Sequence, residues 1–235
     1  MKRLLLVGLL AGMGAVVADH HKAGEWTSLF DGKTLEGWKS SPDNPAAFSV
    51  VDGTLKVNGK RAHLYYVGKG GKASFKNFEL KAKVKTLANS NSGIYIHTAF
   101  QDKGWPAKGY EVQVNTTHRD PKKTGSLYAV ENIFVDGKAI PEGGISKDKG
   151  GTNHHRKEPP SKDGEWFDYH VTVKGKTITI KVNGETTVKF TEPEGWKGPS
   201  PNTPGRVLGE GQIALQAHDP GSTVFYKDIQ IKELK

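Results

Sequence analysis

The chain has 235 residues, no cysteine and a formal net charge of +9, from 34 Lys and Arg against 25 Asp and Glu. Without cysteine there are no disulfides, thiolate nucleophiles, iron–sulfur clusters or cysteine-ligated zinc, and 29 Gly with 12 Pro interrupt the chain too often for a helical bundle. The length suits one sheet-built domain whose core needs no staples.

Lys2 and Arg3 precede an uncharged, apolar run from Leu4 to Val17, and Val16 and Ala18 fit the small-residue positions before a cleavage site. This is the pattern of a secretory signal. Residues 1–18 are expected to be a cleaved signal peptide, 19–25 a disordered mature N-terminus, and 26–235 one domain of a periplasmic or secreted protein. Left uncleaved, the leader would be an N-terminal anchor. The run is short for a bilayer span and nothing later resembles one, so no stable membrane anchor is expected.

Downstream, the dominant period is two. Phe48–Val51 and Thr54–Val57 flank Asp52-Gly53, a hairpin with a tight turn. Phe78, Leu80, Ala82 and Val84 alternate with Glu79, Lys81, Lys83 and Lys85, a half-buried strand with a charged outer face. Strands are expected at Gly93–Phe100 and Tyr110–Asn115. Residues 136–164 read as a long loop carrying Asn153-His154-His155-Arg156. Trp166–Val173 and Thr177–Val182 form a second hairpin, which Asn183-Gly184 turns into Glu185–Phe190. Residues 191–209, with four prolines around Trp196, read as another long loop, and such loops are more often functional than idle. Gln212–His218 and Val224–Leu234 close the chain. Some ten short strands without an amphipathic helix mean a β-sandwich or barrel. The lysines are not gathered with aromatics on one face, so nucleic acid is not an expected partner; weak attraction to anionic glycans is compatible with the charge.

Alternation also sorts side chains by face. In Tyr110–Asn115, Glu111, Gln113 and Asn115 point away from Tyr110, Val112 and Val114. In Gln212–His218, Gln212, Gln216 and His218 point away from Ile213, Leu215 and Ala217. In Ile94–Thr98, Tyr95 and His97 are expected outward and Ile94 and Ile96 inward. Three strands thus offer planar amides, imidazoles and one carboxylate without solubilising lysines, a composition that suits sugar hydroxyls. Trp105, Tyr128, Trp166 and Trp196 are candidate stacking walls. A retaining glycosidase needs two carboxyls about 5 Å apart, and the Tyr110–Asn115 strand supplies only Glu111. His97, Glu111 and His218 are also ligand types that suit a divalent metal.

Several blocks, in order, resemble the 3-keto-disaccharide hydrolase family: Ser28-Leu-Phe-Asp-Gly-Lys-Thr-Leu-Glu-Gly-Trp38, Asn77–Leu80, Asn91–Tyr95, Gly109–Val114, Thr124–Tyr128, Gly211–Gln216 and Val224–Ile231. The chain departs from the family's usual pattern at Asn115, where many members have Asp, at His97 and at Lys227-Asp228. The resemblance implies an all-β fold, a single jelly-roll β-sandwich of two antiparallel sheets of the concanavalin A-like lectin/glucanase type. It implies cleavage of glycosidic bonds in sugars that a separate dehydrogenase, the upstream pathway partner, has oxidised at C3. The ketone acidifies the C2 proton, a base removes it, the C1–O bond breaks by elimination, and water adds back. Glu111 or His218 is the expected base and His97 the acid or a metal ligand. Gln113, Asn115, Tyr128, Gln216, Trp105 and Trp166 are the expected substrate-binding residues, and a divalent metal on His97, Glu111 and His218 is an open candidate. The competing readings are a non-catalytic carbohydrate-binding module of the same fold, a conventional glycoside hydrolase, and a structural cell-surface domain.

Overall fold

A computed structural model describes residues 24–137, 152–199 and 204–235. The expected signal peptide lies outside the described residues. Of the stretch expected to be disordered, Gly24 is tied to the last strand, its N–H donating to the Glu233 carbonyl at 2.9 Å.

The strands in chain order are β1 (Thr27–Ser28), β2 (Trp38–Ser40), β3 (Phe48–Val51), β4 (Thr54–Asn58), β5 (Ala62–Tyr66), β6 (Phe78–Thr86), β7 (Asn91–Thr98), β8 (Tyr110–Asn115), β9 (Glu131–Val135), β10 (Thr152–Arg156), β11 (Phe167–Lys174), β12 (Thr177–Val182), β13 (Glu185–Thr191), β14 (Gln212–Ala217) and β15 (Thr223–Glu233). One sheet runs β13-β12-β11-β6-β15-β4-β3, with β1 on the far half of β15, and the second runs β2-β5-β14-β7-β8. Every pairing within these two sheets is antiparallel. The architecture is therefore the expected two-sheet sandwich. β9 and β10 form a small parallel pair beside it, bridged to β8 through Leu127.

Turn chemistry places the hairpins where the sequence predicts them. Asp52 and Gly53 have φ +48° and +73°, and Asn183 and Gly184 +49° and +81°; positive φ at both central residues is the turn that matches strand twist. Between the sheets lies one core, to which β6 gives Phe78, Leu80 and Val84, β8 Val112 and Val114, and β14 Ile213 and Leu215. Two tyrosines fasten the sheets together. The Tyr169 hydroxyl of β11 donates to the Gln113 carbonyl of β8 at 2.7 Å and accepts from the Gly125 N–H at 2.6 Å. The Tyr226 hydroxyl of β15 lies 2.7 Å from Ser92 Oγ of β7.

The differences from expectation have local causes. β5 is buried along its whole length, because the smaller sheet is covered on both faces: the core lies on one side, and Tyr65, Tyr95 and Ala214 form a second cluster on the other. Such a strand shows no alternation. The stretch expected to be one long loop contains β10, whose His154 and His155 lie on a strand; His154 Nε2 is 2.6 Å from Glu131 Oε2 and His155 stacks on Phe134. In β7 the alternation breaks at His97, where φ is +54° and the register with β14 slips, a β-bulge. Gly109 and Gly211 press on this bulge. A Cβ on Gly109 would lie 2.1 Å from the Ile96 carbonyl oxygen, and one on Gly211 2.6 Å from the His97 carbonyl carbon.

Candidate active site

The outer face of the smaller sheet carries a cavity of about 510 Å³. Its floor is β8, β7 and β14 side by side: Glu111 pairs in register with Tyr95, and Tyr95 with Ala214. Loops form the walls, contributing Trp105, Asp120, Tyr128, Pro204 and Arg206.

Glu111 is the centre of the floor and is 5% exposed. Its Oε2 accepts from the Tyr95 hydroxyl at 2.8 Å, and its Oε1 accepts from Gln216 Nε2 at 2.8 Å. Arg206 Nη2 lies 3.5 Å from Oε2. Burial works against charge on Arg206, but Tyr95 and Glu111 beside it hold its pKa above the usual value. Burial, then the Glu111 charge, pushes the Tyr95 phenol well above its ordinary range, so it stays a donor. Nη1 of Arg206 is buried and has no hydrogen-bond partner among the described residues.

The loop that delivers Arg206 is held from below. Trp196 Nε1 donates to the Arg206 carbonyl at 2.9 Å and to the Tyr110 hydroxyl at 2.8 Å. That hydroxyl donates to Glu192 Oε1 at 2.6 Å, which also accepts the Leu208 N–H. Trp196 therefore braces the loop and is not among the residues lining the cavity.

His218, which also lines the cavity, follows β14. Its Nδ1 is 2.9 Å from Asp219 Oδ2, and its ring sits 5.4 Å from Trp105. Asp219 also accepts from Ser222 Oγ at 2.7 Å and from the Gly221 N–H at 2.9 Å. Burial opposes its ionisation, but these donors hold the carboxyl below the usual range, so Asp219 fixes the proton of His218 on Nδ1 and leaves Nε2 as the basic nitrogen. His118 closes the set. Its Nδ1 accepts the Asp120 N–H at 3.1 Å, which puts its own proton on Nε2, 3.5 Å from Asp219 Oδ2. Burial lowers the His118 pKa.

The structure thus brings Glu111, Gln113, Gln216, Tyr128, Trp105 and His218 to one cavity and leaves three expected site residues outside it. The bulge turns His97 off the site face. Its ring packs on Phe78, Nε2 bonds the Lys76 carbonyl at 2.8 Å, and Nδ1 accepts the Gly209 N–H at 3.1 Å. Trp166 lies on the outer face of the larger sheet under Lys227 and Lys85. Asn115 keeps its expected face but sits past the cavity's end, where its Nδ2 donates to the Asp120 and Lys122 carbonyls at 2.8 Å and shapes the loop that carries Asp120.

The candidate metal set of His97, Glu111 and His218 is accordingly not assembled. A different group, His118, His218 and Asp219, brings three ligand atoms within 4.8 Å of one another, a donor set whose types suit a divalent ion; here a hydrogen bond joins His218 to Asp219 and His118 lies 3.5 Å from the same carboxylate. Sequence reasoning missed Arg206, Asp120 and His118. The only local signal was Asp219, next in sequence to His218.

Gly93 makes room for the floor. A Cβ there would fall 2.7 Å from Glu111 Oε1 and 3.0 Å from its Cγ. Gly93→Ala is expected to displace the carboxylate by about 1 Å and to lower kcat/KM on the true substrate on the order of 100-fold while the chain still folds. Steady-state kinetics with circular dichroism checks this; unchanged kinetics would mean that the Glu111 position is immaterial.

Comparison with known proteins matches residues 25–232 to the family described as a 3-keto-alpha-glucoside-1,2-lyase-like domain. The 3-keto-disaccharide hydrolase of Bacteroides thetaiotaomicron is 28% identical over 240 residues, covering 89% of this chain and 78% of the relative. A presumed glycosyl hydrolase of Parabacteroides distasonis superposes with a TM-score of 0.66 at 25% identity, covering 89% of this chain and 94% of its own. The carbohydrate-binding module CBM66 of Bacillus subtilis shares the fold alone, with a TM-score of 0.51 at 10% identity over 84% of this chain and 96% of its own. The sandwich resembles those of concanavalin A-like lectins.

Proposed function

The chain belongs to the 3-keto-alpha-glucoside-1,2-lyase-like family, and from that premise we propose that it cleaves glycosidic bonds of sugars carrying a ketone at C3. The observation that carries this reading is that one cavity is lined both by His218, a base oriented by the Asp219 carboxylate, and by Arg206, whose Nη1 has no hydrogen-bond partner among the described residues.

In this reading His218 Nε2 takes the C2 proton. The C2–H electron pair forms a C2–C3 double bond, and the carbonyl electrons move to the C3 oxygen. Arg206 hydrogen-bonds that oxyanion, a contribution made mainly as charge develops. The electrons then return, the C3 carbonyl re-forms, and the C1–O bond breaks to give the enone. The imidazolium supplies the proton taken up by the leaving oxygen. Water adds at C1 and a proton returns to C2, so the net reaction is hydrolysis. Glu111, Tyr95 and Gln216 orient Arg206 and the ring hydroxyls. A dehydrogenase acting at C3 must supply the substrate. The leader-like N-terminus supports export.

Asp120 on the cavity wall favours a second reading, conventional hydrolysis by two carboxyls with Glu111. A chromogenic glucoside, assayed with and without prior C3 oxidation, separates the two. Release from the 3-keto form alone is expected, and His218→Asn should lower it by a factor of about 10²–10⁴. Release from the unoxidised glucoside, abolished by Asp120→Asn, would establish the two-carboxyl mechanism instead. Sugar binding without release from either form would make the chain a binding module.

A further inference from the structure

The outer face of the larger sheet stands apart from the cavity and is strongly basic. On β6, Lys81, Lys83 and Lys85 point outward, and Lys227 and Lys232 do so on the neighbouring β15. Lys83 stands directly opposite Lys227 on one side and Asp168 on the other. The Lys83–Lys227 pair sets like charges opposite each other, which by itself disfavours the pairing.

Contrary to the expectation from sequence, the lysines are gathered with aromatics on this one face, because β6 and β15 are neighbours in the sheet and Trp26, Trp166 and Phe225 lie beside them. Trp26 lies beneath Lys81 and Lys232, with ammonium-to-ring distances of 4.3 and 5.0 Å. Trp166 lies beneath Lys227 and Lys85 at 4.4 and 4.9 Å, and Phe225 beneath Lys85 at 5.0 Å. Asp168 and Glu79 take Lys83 and Lys232 at 2.8 and 2.5 Å. No ion pair joins Lys81, Lys85 or Lys227 to a carboxylate among the described residues. A free lysine loses rotamer freedom when a ligand fixes it. Ammonium groups already laid on indole rings have lost much of that before any ligand arrives.

We propose that this face binds an anionic polysaccharide, a chain of sugars bearing carboxylate or sulfate groups, through Lys81, Lys85 and Lys227. Single-stranded nucleic acid fits less well, because it needs open aromatic faces on which bases stack, and here lysines cover both indoles. The face would hold the domain on a charged polymer while its cavity works elsewhere. The inference does not depend on the chemistry in the cavity.

Retention of the full chain on immobilised heparin, on polygalacturonate and on single-stranded DNA tests it, beside the triple variant Lys81→Gln, Lys85→Gln, Lys227→Gln. Wild-type chain is expected to be retained on heparin, on polygalacturonate or on both, and to weaken about tenfold between about 50 and 200 mM salt. The triple variant should elute at clearly lower salt, and should melt no lower than wild type because Lys227 no longer opposes Lys83. The two glycans distinguish sulfate from carboxylate recognition. No retention on either glycan, or identical elution of variant and wild type, would overturn the proposal. Tighter retention on DNA than on both glycans, lost in the variant, would also overturn it, in favour of a nucleic-acid surface.

Discussion

Glu111→Gln should unfold about 3–5 kcal/mol more easily than the wild-type chain, measured by urea denaturation at pH 7. Glu111 and Arg206 are both deeply buried, and Arg206 has the Glu111 carboxylate at 3.5 Å as its ion-pair partner. Removing that charge leaves a buried guanidinium uncompensated. Glutamine also brings two N–H donors to a place already supplied with donors, since Gln216 Nε2 and Arg206 both point at the carboxylate oxygens. The double variant Glu111→Gln, Arg206→Met should recover at least half of the loss, because it removes the stranded cation as well; the non-additivity measures the coupling of the pair. A loss below about 1 kcal/mol in the single variant, within the usual range of surface substitutions, would show that the pair is solvated and that the floor of the cavity is not dry. Turnover of a 3-keto glycoside should fall in both variants, in the double because the oxyanion donor is gone.

The second large effect concerns acid. His63 on β5 is fully buried beneath the site, its ring 5.3 Å from Tyr95 and 5.7 Å from Trp105. Neither ring nitrogen has a hydrogen-bond partner among the described residues. Burial, reinforced by the Arg61 charge, lowers its pKa from 6.5 to about 3. The unfolded chain therefore takes the proton first. Stability is whole above pH 6.5 and is lost as the pH falls from there toward 3, and by pH 4 this one group removes roughly 3 kcal/mol. His63→Phe keeps an aromatic ring in an aromatic setting and discards the proton. The stability difference between pH 7 and pH 4 should shrink by that amount in the variant, whatever the substitution does to stability at pH 7. An unchanged difference would mean that other groups dominate acid unfolding.

How much of the site could be read from sequence follows from which residues kept a simple period. On β8 and β14 one face meets the core and the other meets a cavity, so alternation alone put Glu111, Gln113 and Gln216 together. At His97 one extra residue reverses the parity, and the glycines that shape this bulge, Gly109 and Gly211, lie far along the chain. Trp166 shows the limit of parity in another way: an outward aromatic was legible, but not which sheet it would stand on. β5 was illegible because burial on both faces erases the pattern. Arg206 was hidden for a different reason. Its place is set by Trp196 and Glu192 within its own loop and by Tyr110 on β8, and a loop pinned through a distant strand leaves no local signature. The hairpins around Asp52-Gly53 and Asn183-Gly184 were the most legible parts, since two residues with positive φ fix both the turn and its register.

The place of β15 bears on how the chain comes to be folded at all. This last strand lies inside the larger sheet, with β6 on one side and β4 and then β1 on the other. Until β15 is in place, no other strand among the described residues joins β3, β4 and β1 to β6, and the two halves of the sheet are separate pieces with open edges. Closing this sheet needs pairings between segments far apart in sequence, and long-range closure of this kind is slow. Before β15 docks, the facing edges of β6 and β4 are unpaired and open to mispairing.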